Sequence, residues 1–248
     1  MLSLFKSHYS LKEIIPDGYI DIHNHILPGI DDGSQSLAET SRLIKQMAQI
    51  NIQGAVVTPH TFTKYWNNSV KTIKKAYNIA VETEFNKSFI KGYASEYMLD
   101  ISLIERVQNE ELLCVWNNYI LVEISHGDYP VNLFEMLFEL KCKNYSIIMA
   151  HPERYLYLHK DIKNIEKLKA FGVSFQLNLM SLTGYYGKRA QKMAECLIRN
   201  DLYDFTGTDI HTELQLDQFT DKRIHFDRNK VENLLQKNCN LLSDLSIV

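Results

Sequence analysis

Short β-rich runs alternate with amphipathic helical segments along the chain, and this alternation constrains the fold more than any other feature. About seven β-then-α units follow one another without a low-complexity linker. Such an alternation predicts an α/β fold, with a parallel sheet and helices outside it. So many units in one uninterrupted chain favour a barrel over an open sheet. An open sheet usually carries a glycine-rich phosphate turn after its first strand, whereas this chain has His23-Asn24-His25 there.

The individual elements are predicted from apolar periodicity and from capping residues. Ser36 and Glu39 have the spacing of a capping box at the start of the first helix. Later helices are predicted over residues 70–85, 131–143, 162–171, 188–200 and 229–236. Strands are predicted over residues 19–22, 55–58, 89–94, 119–124, 146–150, 173–177 and 203–206.

Composition narrows the classes of function. The chain has 248 residues, of which 45% are hydrophobic, and a net charge of -3, which argues against charge-driven binding to nucleic acid. No apolar run approaches the ~18 residues that a membrane span requires. The four cysteines lie far apart without a C-x-x-C motif, which fits a cytoplasmic protein. Residues 1–18 are interpreted as an N-terminal extension rather than a signal peptide, and residues 19–248 as a single domain.

Side chains of the metal-ligand type follow most of the predicted strands. In a β/α barrel the carboxyl ends of the strands share one rim, so that residues far apart in sequence converge there. An isolated histidine at one strand end is more often a hydrogen-bonded structural residue, but a coincidence at six strand ends is hard to explain by chance. The residues concerned are His23, His25, His60, Glu96, Glu123, His151, Asp209 and His211.

Spacing and ligand chemistry support the same interpretation. In extended chain, residues two apart project to the same side, so His23 and His25 can face one pocket, as can Asp209 and His211. Imidazole and carboxylate ligands suit zinc, manganese or iron. The number of ligands exceeds what one tetrahedral ion needs, which favours two or three ions. His126, three residues after Glu123, is left open as either a ligand or a structural residue.

Other phosphatase chemistries lack their motifs. None of the four cysteines has an arginine six positions later, as a cysteine-dependent phosphatase loop requires. No D-x-D follows the first strand, and neither a G-x-S-x-G elbow nor a Walker-type loop is present. Any hydrolytic chemistry is therefore expected to depend on metal ions.

These motifs resemble those of the PHP (polymerase and histidinol phosphatase) superfamily. Within it, the chain is similar to the bacterial PHP-type protein-tyrosine phosphatases that are encoded with capsule and exopolysaccharide genes. The order of the motifs also matches, from about residue 19 to the C-terminal region. The matching segments are Asp21-Ile22-His23-Asn24-His25, Asp31-Asp32-Gly33, Thr58-Pro59-His60, the segment holding Glu96, Leu121-Val122-Glu123, Ala150-His151-Pro152-Glu153-Arg154-Tyr155 and Thr208-Asp209-Ile210-His211.

The resemblance implies a distorted (β/α)7 TIM-like barrel, the PHP fold, with three divalent ions. Manganese is the expected metal, with iron or zinc as alternatives. By this resemblance, the ligands of one ion would be His23, His25, Glu96 and Asp209. Glu96 would bridge to a second ion, which Glu123 and His151 would also bind. The ligands of the third ion would be Asp32, His60 and His211. Asp32 is added by the resemblance alone.

The resemblance also implies a catalytic group consisting of Glu96, Asp209 and a phosphate-binding Arg154. The hypothesis is that a hydroxide bridging two ions attacks phosphorus in line while Arg154 binds the phosphoryl oxygens. The family has a further basic residue after the D-x-H motif, but residues 212–218 contain neither arginine nor lysine.

The expected substrate is a phosphotyrosine-containing protein, the tail of a bacterial tyrosine autokinase that controls capsular polysaccharide synthesis. Two alternatives remain at this point. One is a PHP phosphoesterase acting on a small metabolite such as histidinol phosphate. The other is a non-catalytic PHP scaffold that binds a partner protein.

Overall fold

Among the residues that the structure describes, nine strand segments, all paired in parallel, form the centre of the molecule. The computed structural model describes residues 8–160 and 162–239. The strands are β1 (Ile20–Asp21), β2 (Gly54–Val57), β3 (His60–Thr61), β4 (Ile90–Tyr93), β5 (Glu96–Met98), β6 (Tyr119–Glu123), β7 (Ser146–Ala150), β8 (Val173–Asn178) and β9 (Phe205–Gly207).

The nine segments follow seven strand paths. They form a three-stranded sheet, β1-β2-β4, and a six-stranded sheet, β3-β5-β6-β7-β8-β9. Two paths cross from one sheet to the other, because β2 continues into β3 and β4 into β5 after short breaks. Across these breaks Ala94 N donates to Val57 O at 2.8 Å, and Glu96 N donates to Pro59 O at 3.1 Å. The predicted α/β fold with a distorted seven-stranded barrel is confirmed.

The first and last strands are joined by backbone hydrogen bonds between the segments that follow them and by side chains that cross the seam. Asp209 N donates to His23 O at 2.7 Å, and His25 N donates to Ile210 O at 2.9 Å. At the other end of the seam, Asn238 is fully buried. Its Nδ2 donates to Ile20 O and to Thr206 O, while its Oδ1 accepts from Thr206 N. The curled sheet is closed through these contacts.

Nine α-helices lie among the described residues. They are α1 (Leu37–Gln49), α2 (Val70–Ala80), α3 (Glu84–Phe89), α4 (Ile101–Asn109), α5 (Leu133–Cys142), α6 (Ile162–Ala170), α7 (Gly187–Arg199), α8 (Glu213–Asp221) and α9 (Arg228–Cys239). None of them is both long enough and apolar enough to cross a membrane.

Two helical predictions differ from the structure. The single helix over residues 70–85 is wrong: α2 ends at Ala80, and α3 begins after Thr83, whose side chain accepts from Asn86 N. Helix α8 was not predicted. Gln215 Oε1 accepts from His211 N at 2.6 Å and from Thr212 N at 3.0 Å, so that one buried amide holds the turn into α8.

The segment before residue 19 packs against the domain where it is described. Tyr9 and Leu11 are fully buried in the main core, and Tyr9 exchanges two backbone hydrogen bonds with Ile224. The boundary at residue 18 stays a prediction, and residues 1–7 lie outside the described residues.

Alternation along the strands separates an inner face from an outer face. On β6, Leu121 belongs to the small apolar cluster inside the barrel, whereas Val122 packs in the main core under the helices. His60 and Glu96 are in register with Leu121 and therefore share its inner face. The small inner cluster thus fills the lower barrel and leaves the carboxyl ends of the strands to polar side chains.

Candidate metal centre

All nine side chains predicted as metal ligands meet at the carboxyl ends of the strands. Their potential ligand atoms form overlapping groups in which the atoms lie within 4.8 Å of one another. One group contains His23, His25, Glu96 and Asp209; a second contains Glu123, His126 and His151; a third contains His25, Asp32, His60 and His211. The structure therefore brings together residues that are up to 188 positions apart in the sequence (211 - 23).

His23 and His25 point their Nε2 atoms at the same place. These two nitrogens are 3.3 Å apart, and each lies 3.3 Å from Asp209 Oδ1. The opposite nitrogens are held by hydrogen bonds: His23 Nδ1 donates to Gln176 Oε1, and His25 Nδ1 donates to Asp31 Oδ2, both at 2.8 Å. A neutral imidazole held in this way presents the lone pair of Nε2, the arrangement found in metal-binding histidines.

The Glu96 carboxylate lies between four histidines and is 1% exposed. Its Oε1 is 3.2 Å from the Nε2 atoms of both His23 and His151. Its Oε2 is 3.0 Å from His60 Nδ1. Neither Glu96 Oε2 nor His60 Nδ1 has a properly oriented hydrogen-bond partner. Buried polar atoms without a partner are costly, and a divalent cation between such atoms would satisfy them.

The third group lies closest to solvent. Asp32 Oδ1 is 3.6 Å from His60 Nε2 and 3.5 Å from His211 Nε2, and the Asp32 side chain is 50% exposed. His211 Nδ1 donates to Asp209 O at 2.9 Å, which leaves its Nε2 directed at Asp32. The imidazoles of His25 and His211 stack, with ring centroids 3.9 Å apart.

His126 lies beside the second group. Its ring stacks on His151 with centroids 5.6 Å apart and also contacts Tyr155. With Glu123 and His151 it forms a triad with potential metal-ligand geometry. His126 is the exposed member of this triad. The structure thus places the histidine whose role was left open at the entrance of the site.

The cluster holds Glu96 and Asp209 ionised and requires positive charge to balance them, whereas burial raises the pKa of Glu123. Burial alone would raise the pKa of Glu96 and of Asp209, but the surrounding imidazoles hold both well below their usual range. Burial and His25 would lower the pKa of His60, yet the carboxylates beside His60 raise this pKa to about 10. Burial and Arg154 instead lower the pKa of His151 to about 3, so this imidazole is neutral. Protons or metal ions can supply the missing charge, and the shared orientation of the ring nitrogens fits metal ions.

Arg154 connects the metal-ligand cluster to the open cleft. Its Nη1 donates to Asp209 Oδ2 at 2.6 Å, and its guanidinium lies 4.2 Å from the centroid of the Tyr186 ring. Asp209 Oδ2 also accepts from Asn178 Nδ2 at 2.9 Å. Asp209 and His151 both have left-handed backbone conformations, with φ of 54° and 35°. Non-glycine residues in this conformation are uncommon and often occur at functional sites.

Sequence reasoning did not identify two residues that hold the ligands. Gln176 binds His23, and Asp31 binds His25 and also accepts from His60 N at 3.0 Å. Asp31 was noted only as part of a motif, and Gln176 lies in a strand predicted from its apolar neighbours. The glycine of that motif, Gly33, is required by close approach, because a Cβ there would lie 1.8 Å from His25 O.

The cluster lies at the base of a cleft of about 570 Å³, which we call the metal cleft. Several aromatic side chains line it, and Tyr65 and Tyr185 at its rim are 64% and 47% exposed. The lining aromatic residues are Phe62, Tyr65, Trp66, Tyr185 and Tyr186. An anionic group attached to an apolar ring would find matching surfaces in such a cleft.

Comparisons with known proteins agree with the motifs. The family described as "Capsular polysaccharide synthesis, CpsB/CapC" matches residues 19–240. CapC of Staphylococcus aureus is 30% identical over 196 residues, which cover 78% of this chain and 77% of that protein. The tyrosine-protein phosphatase YwqE of Bacillus subtilis is 26% identical over 200 residues, 77% of each chain.

A solved structure supports the same fold. It comes from crystal structures of YwqE from Bacillus subtilis and CpsB from Streptococcus pneumoniae, described as metal-dependent tyrosine phosphatases. It superimposes with a TM-score of 0.77 at 22% identity, over 92% of this chain and 96% of that one. The resemblance inferred from the motifs is confirmed by these matches. The chain belongs to the CpsB/CapC family of capsular polysaccharide synthesis proteins.

Proposed function

We propose that this protein is a metal-dependent protein-tyrosine phosphatase that acts in capsular or exopolysaccharide synthesis. The observation that carries the proposal is the convergence of five histidines and four carboxylates beneath an aromatic-lined cleft that also contains an arginine. YwqE and CpsB, to which the chain is similar along most of its length, are named as tyrosine-protein phosphatases. This combination favours the phosphatase over the metabolite phosphoesterase and over the non-catalytic scaffold.

Each of the three proposed metal ions is assigned to a set of side chains drawn from these overlapping groups. One ion would be held by His23, His25, Glu96 and Asp209, a second by Glu96, Glu123 and His151, and a third by Asp32, His60 and His211. The donor set of imidazole nitrogens and carboxylate oxygens fits manganese, iron or zinc, and we propose manganese. When bound, such ions lower the pKa of a water nucleophile and offset charge on phosphoryl oxygens.

The protein's own residues bind and orient the substrate. Arg154 projects into the metal cleft, where its planar guanidinium can hold two phosphoryl oxygens. The aromatic rim can pack against the tyrosyl ring. Asp31 and Gln176 keep the imidazoles of His25 and His23 in fixed orientations, which preserves the geometry around the reacting group.

The proposed partner is a phosphotyrosine-containing protein, specifically the tail of a bacterial tyrosine autokinase. The exposed aromatic rings at the mouth of the cleft support a polypeptide substrate, because they extend the binding surface beyond a single small molecule. We also propose a cytoplasmic location, where such a tail would be accessible.

The test compares substrates and metals on the purified full-length chain. The protein is stripped with a chelator and reloaded separately with manganese, iron or zinc, and metal content is measured by mass spectrometry. Turnover is then measured with phosphotyrosine peptides of an autokinase tail, a matched phosphoserine peptide and histidinol phosphate. We expect metal-dependent turnover that is highest on the phosphotyrosine peptides. Faster turnover of histidinol phosphate would favour the metabolite enzyme, and no turnover with metal bound would favour the scaffold.

A further inference from the structure

A second cavity of about 640 Å³ lies beside the metal cleft and has no role in the proposed chemistry. His126 lines both cavities, so they adjoin at that residue. We call the second cavity the side groove. The residues that define it here are His126, Leu156, Tyr157, Arg189, Lys192 and Met193. If one side chain of a polypeptide occupied the metal cleft, a neighbouring side chain of the same polypeptide could therefore reach the side groove.

The side groove carries positive charge. Arg189 and Lys192 are exposed on α7, and neither forms an ion pair with any side chain in residues 8–160 or 162–239. Farther along the same helix, Arg199 does have a partner, Glu195, at 3.0 Å. Since the whole chain has a net charge of -3, two unpaired cations in one groove are a local feature. The acidic residues nearest in sequence to the lining, Asp128 and Glu195, do not line the groove.

One wall of the side groove is apolar and aromatic. Leu156 is 46% exposed, and the Tyr157 ring packs edge-on against Tyr129 with centroids 5.7 Å apart. Met193 contributes a further apolar surface from α7. Leu156 is the exposed member of this wall, Tyr157 is half-buried and Met193 is buried. Apolar groups that line a pocket beside cations are characteristic of binding surfaces rather than of solvated helix faces.

We infer that the side groove binds a second phosphotyrosine of the polypeptide whose first phosphotyrosine occupies the metal cleft. This inference rests on the proposed function and specifies how that site selects its substrate. The apolar wall matches an aromatic ring, and Arg189 and Lys192 match a phosphate group. A bare carboxylate would use the cations but would leave the wall of Leu156, Tyr157 and Met193 without a partner. Substrates with two nearby phosphotyrosines are therefore preferred over singly phosphorylated ones.

The test uses manganese-loaded full-length protein and three matched peptides. Each peptide has one hydrolysable phosphotyrosine, and the three differ only at a second position a few residues away. That position holds a phosphonomethyl analogue of phosphotyrosine in the first peptide, an unmodified tyrosine in the second and a glutamate in the third. The phosphonate cannot be hydrolysed, so only one reaction is measured. We expect kcat/KM for the phosphonate peptide to be roughly tenfold or more above that for the tyrosine peptide, mainly through KM, as charge-assisted contacts predict.

Variants assign the effect to the groove. The double variant Arg189→Ala/Lys192→Ala should lose the preference for the phosphonate peptide. Lys188→Ala removes a neighbouring exposed charge on α7 that does not line the groove, and it should keep the preference. All of these proteins should hydrolyse p-nitrophenyl phosphate at the same rate, because that substrate does not reach the groove.

Three results would overturn the inference while leaving the proposed function intact. The first is an equal kcat/KM for the phosphonate and tyrosine peptides. The second is a kcat/KM for the glutamate peptide as high as that for the phosphonate peptide. The third is a double variant that still prefers the phosphonate peptide. Absence of turnover on every phosphotyrosine peptide would instead overturn the proposed function itself, and the inference with it.

Discussion

Arg154 has two partners that hold its guanidinium at the edge of the metal-ligand cluster. The ion pair with Asp209 at 2.6 Å and the contact with the Tyr186 ring restrict the side chain before a phosphate arrives. A group that is already positioned stabilises charge in a transition state without reorganising at that moment. The side chain is 23% exposed, so it remains accessible from the cleft.

Replacing Arg154 should slow catalysis while metal binding persists. We expect Arg154→Ala to lower kcat/KM on a phosphotyrosine peptide by about 10²–10³-fold, because one electrostatic donor to the phosphoryl group is lost. Arg154→Lys should recover only part of this loss, since an ammonium cannot form the planar two-point contact. Metal content by mass spectrometry is the control. Unchanged kinetics in Arg154→Ala would remove this residue from the site.

Asp31 acts on the site through His25 rather than by direct contact with substrate. Burial would raise the pKa of Asp31, but His25 and the amide of Gly33 hold it below its usual value, so the carboxylate is ionised. An ionised partner at Nδ1 fixes the ring and makes Nε2 a better ligand.

Replacing Asp31 should weaken metal binding. We expect Asp31→Asn to reduce metal affinity by roughly 10–100-fold, as loss of such partners does in other metal sites. Calorimetric metal titration measures the affinity, and excess manganese should restore most of the turnover. If turnover stayed low at saturating metal, Asp31 would have a role beyond orienting His25.

Helix α9 contributes one residue, Asn238, to the closure of the barrel. Asn238 makes three hydrogen bonds to the backbones of Ile20 and Thr206, on the two strands that form the seam. These backbone groups are buried, and a side chain that cannot bond to them leaves them without partners. Helix α9 therefore stabilises the sheet as well as covering it.

Replacing Asn238 should destabilise the fold. We expect Asn238→Leu, which is similar in size but cannot form hydrogen bonds, to lower the free energy of unfolding by about 2–4 kcal/mol. Urea denaturation followed by circular dichroism measures the change. Asn229→Leu, at an exposed position near the start of α9, is a matched control and should change stability little. Equal stability of the two variants would show that the seam does not depend on Asn238.

At the scale of the whole molecule, the proposed ions link segments from both ends of the chain. The ligands come from the loops after β1 and β9 as well as from β3, β5, β6 and the loop after β7. Ions bound only by the folded state stabilise it by mass action. Removing them would also leave the buried carboxylates facing each other with less positive charge between them.

Chelation should therefore lower the thermal stability of the whole domain. At manganese concentrations about a hundred times Kd, binding contributes roughly 2.7 kcal/mol, which corresponds to a Tm about 5–10 °C higher for a chain of this size. Differential scanning calorimetry with chelator, and then with added manganese, measures the shift. Glu96→Ala, which lacks the central ligand, should not respond to manganese. An equal response of both proteins would place the stabilising metal elsewhere.

The pattern of residues along the chain determined the element types and the location of the site. Alternation of strand and helix is local, and the ends of parallel strands necessarily share one rim, so eight of the nine side chains could be placed together from the pattern itself. The ninth, Asp32, came only from the family resemblance. Where a signal was weak, prediction failed: the break after α2 and the short α8 depend on capping by one side chain each, Thr83 and Gln215.

Only the tertiary structure decided how the site is held and what surrounds it. Asp31 and Gln176 are identified by hydrogen bonds to imidazoles, and Gln176 lies 153 positions away from its partner His23. The side groove combines the loop after β6, the turn at 156–159 and one face of α7. Periodicity records which face of an element is buried, but it carries no information about which distant side chain lies opposite. The sequence by itself thus located the metal centre, and only packing between distant segments oriented its ligands and formed the groove beside it.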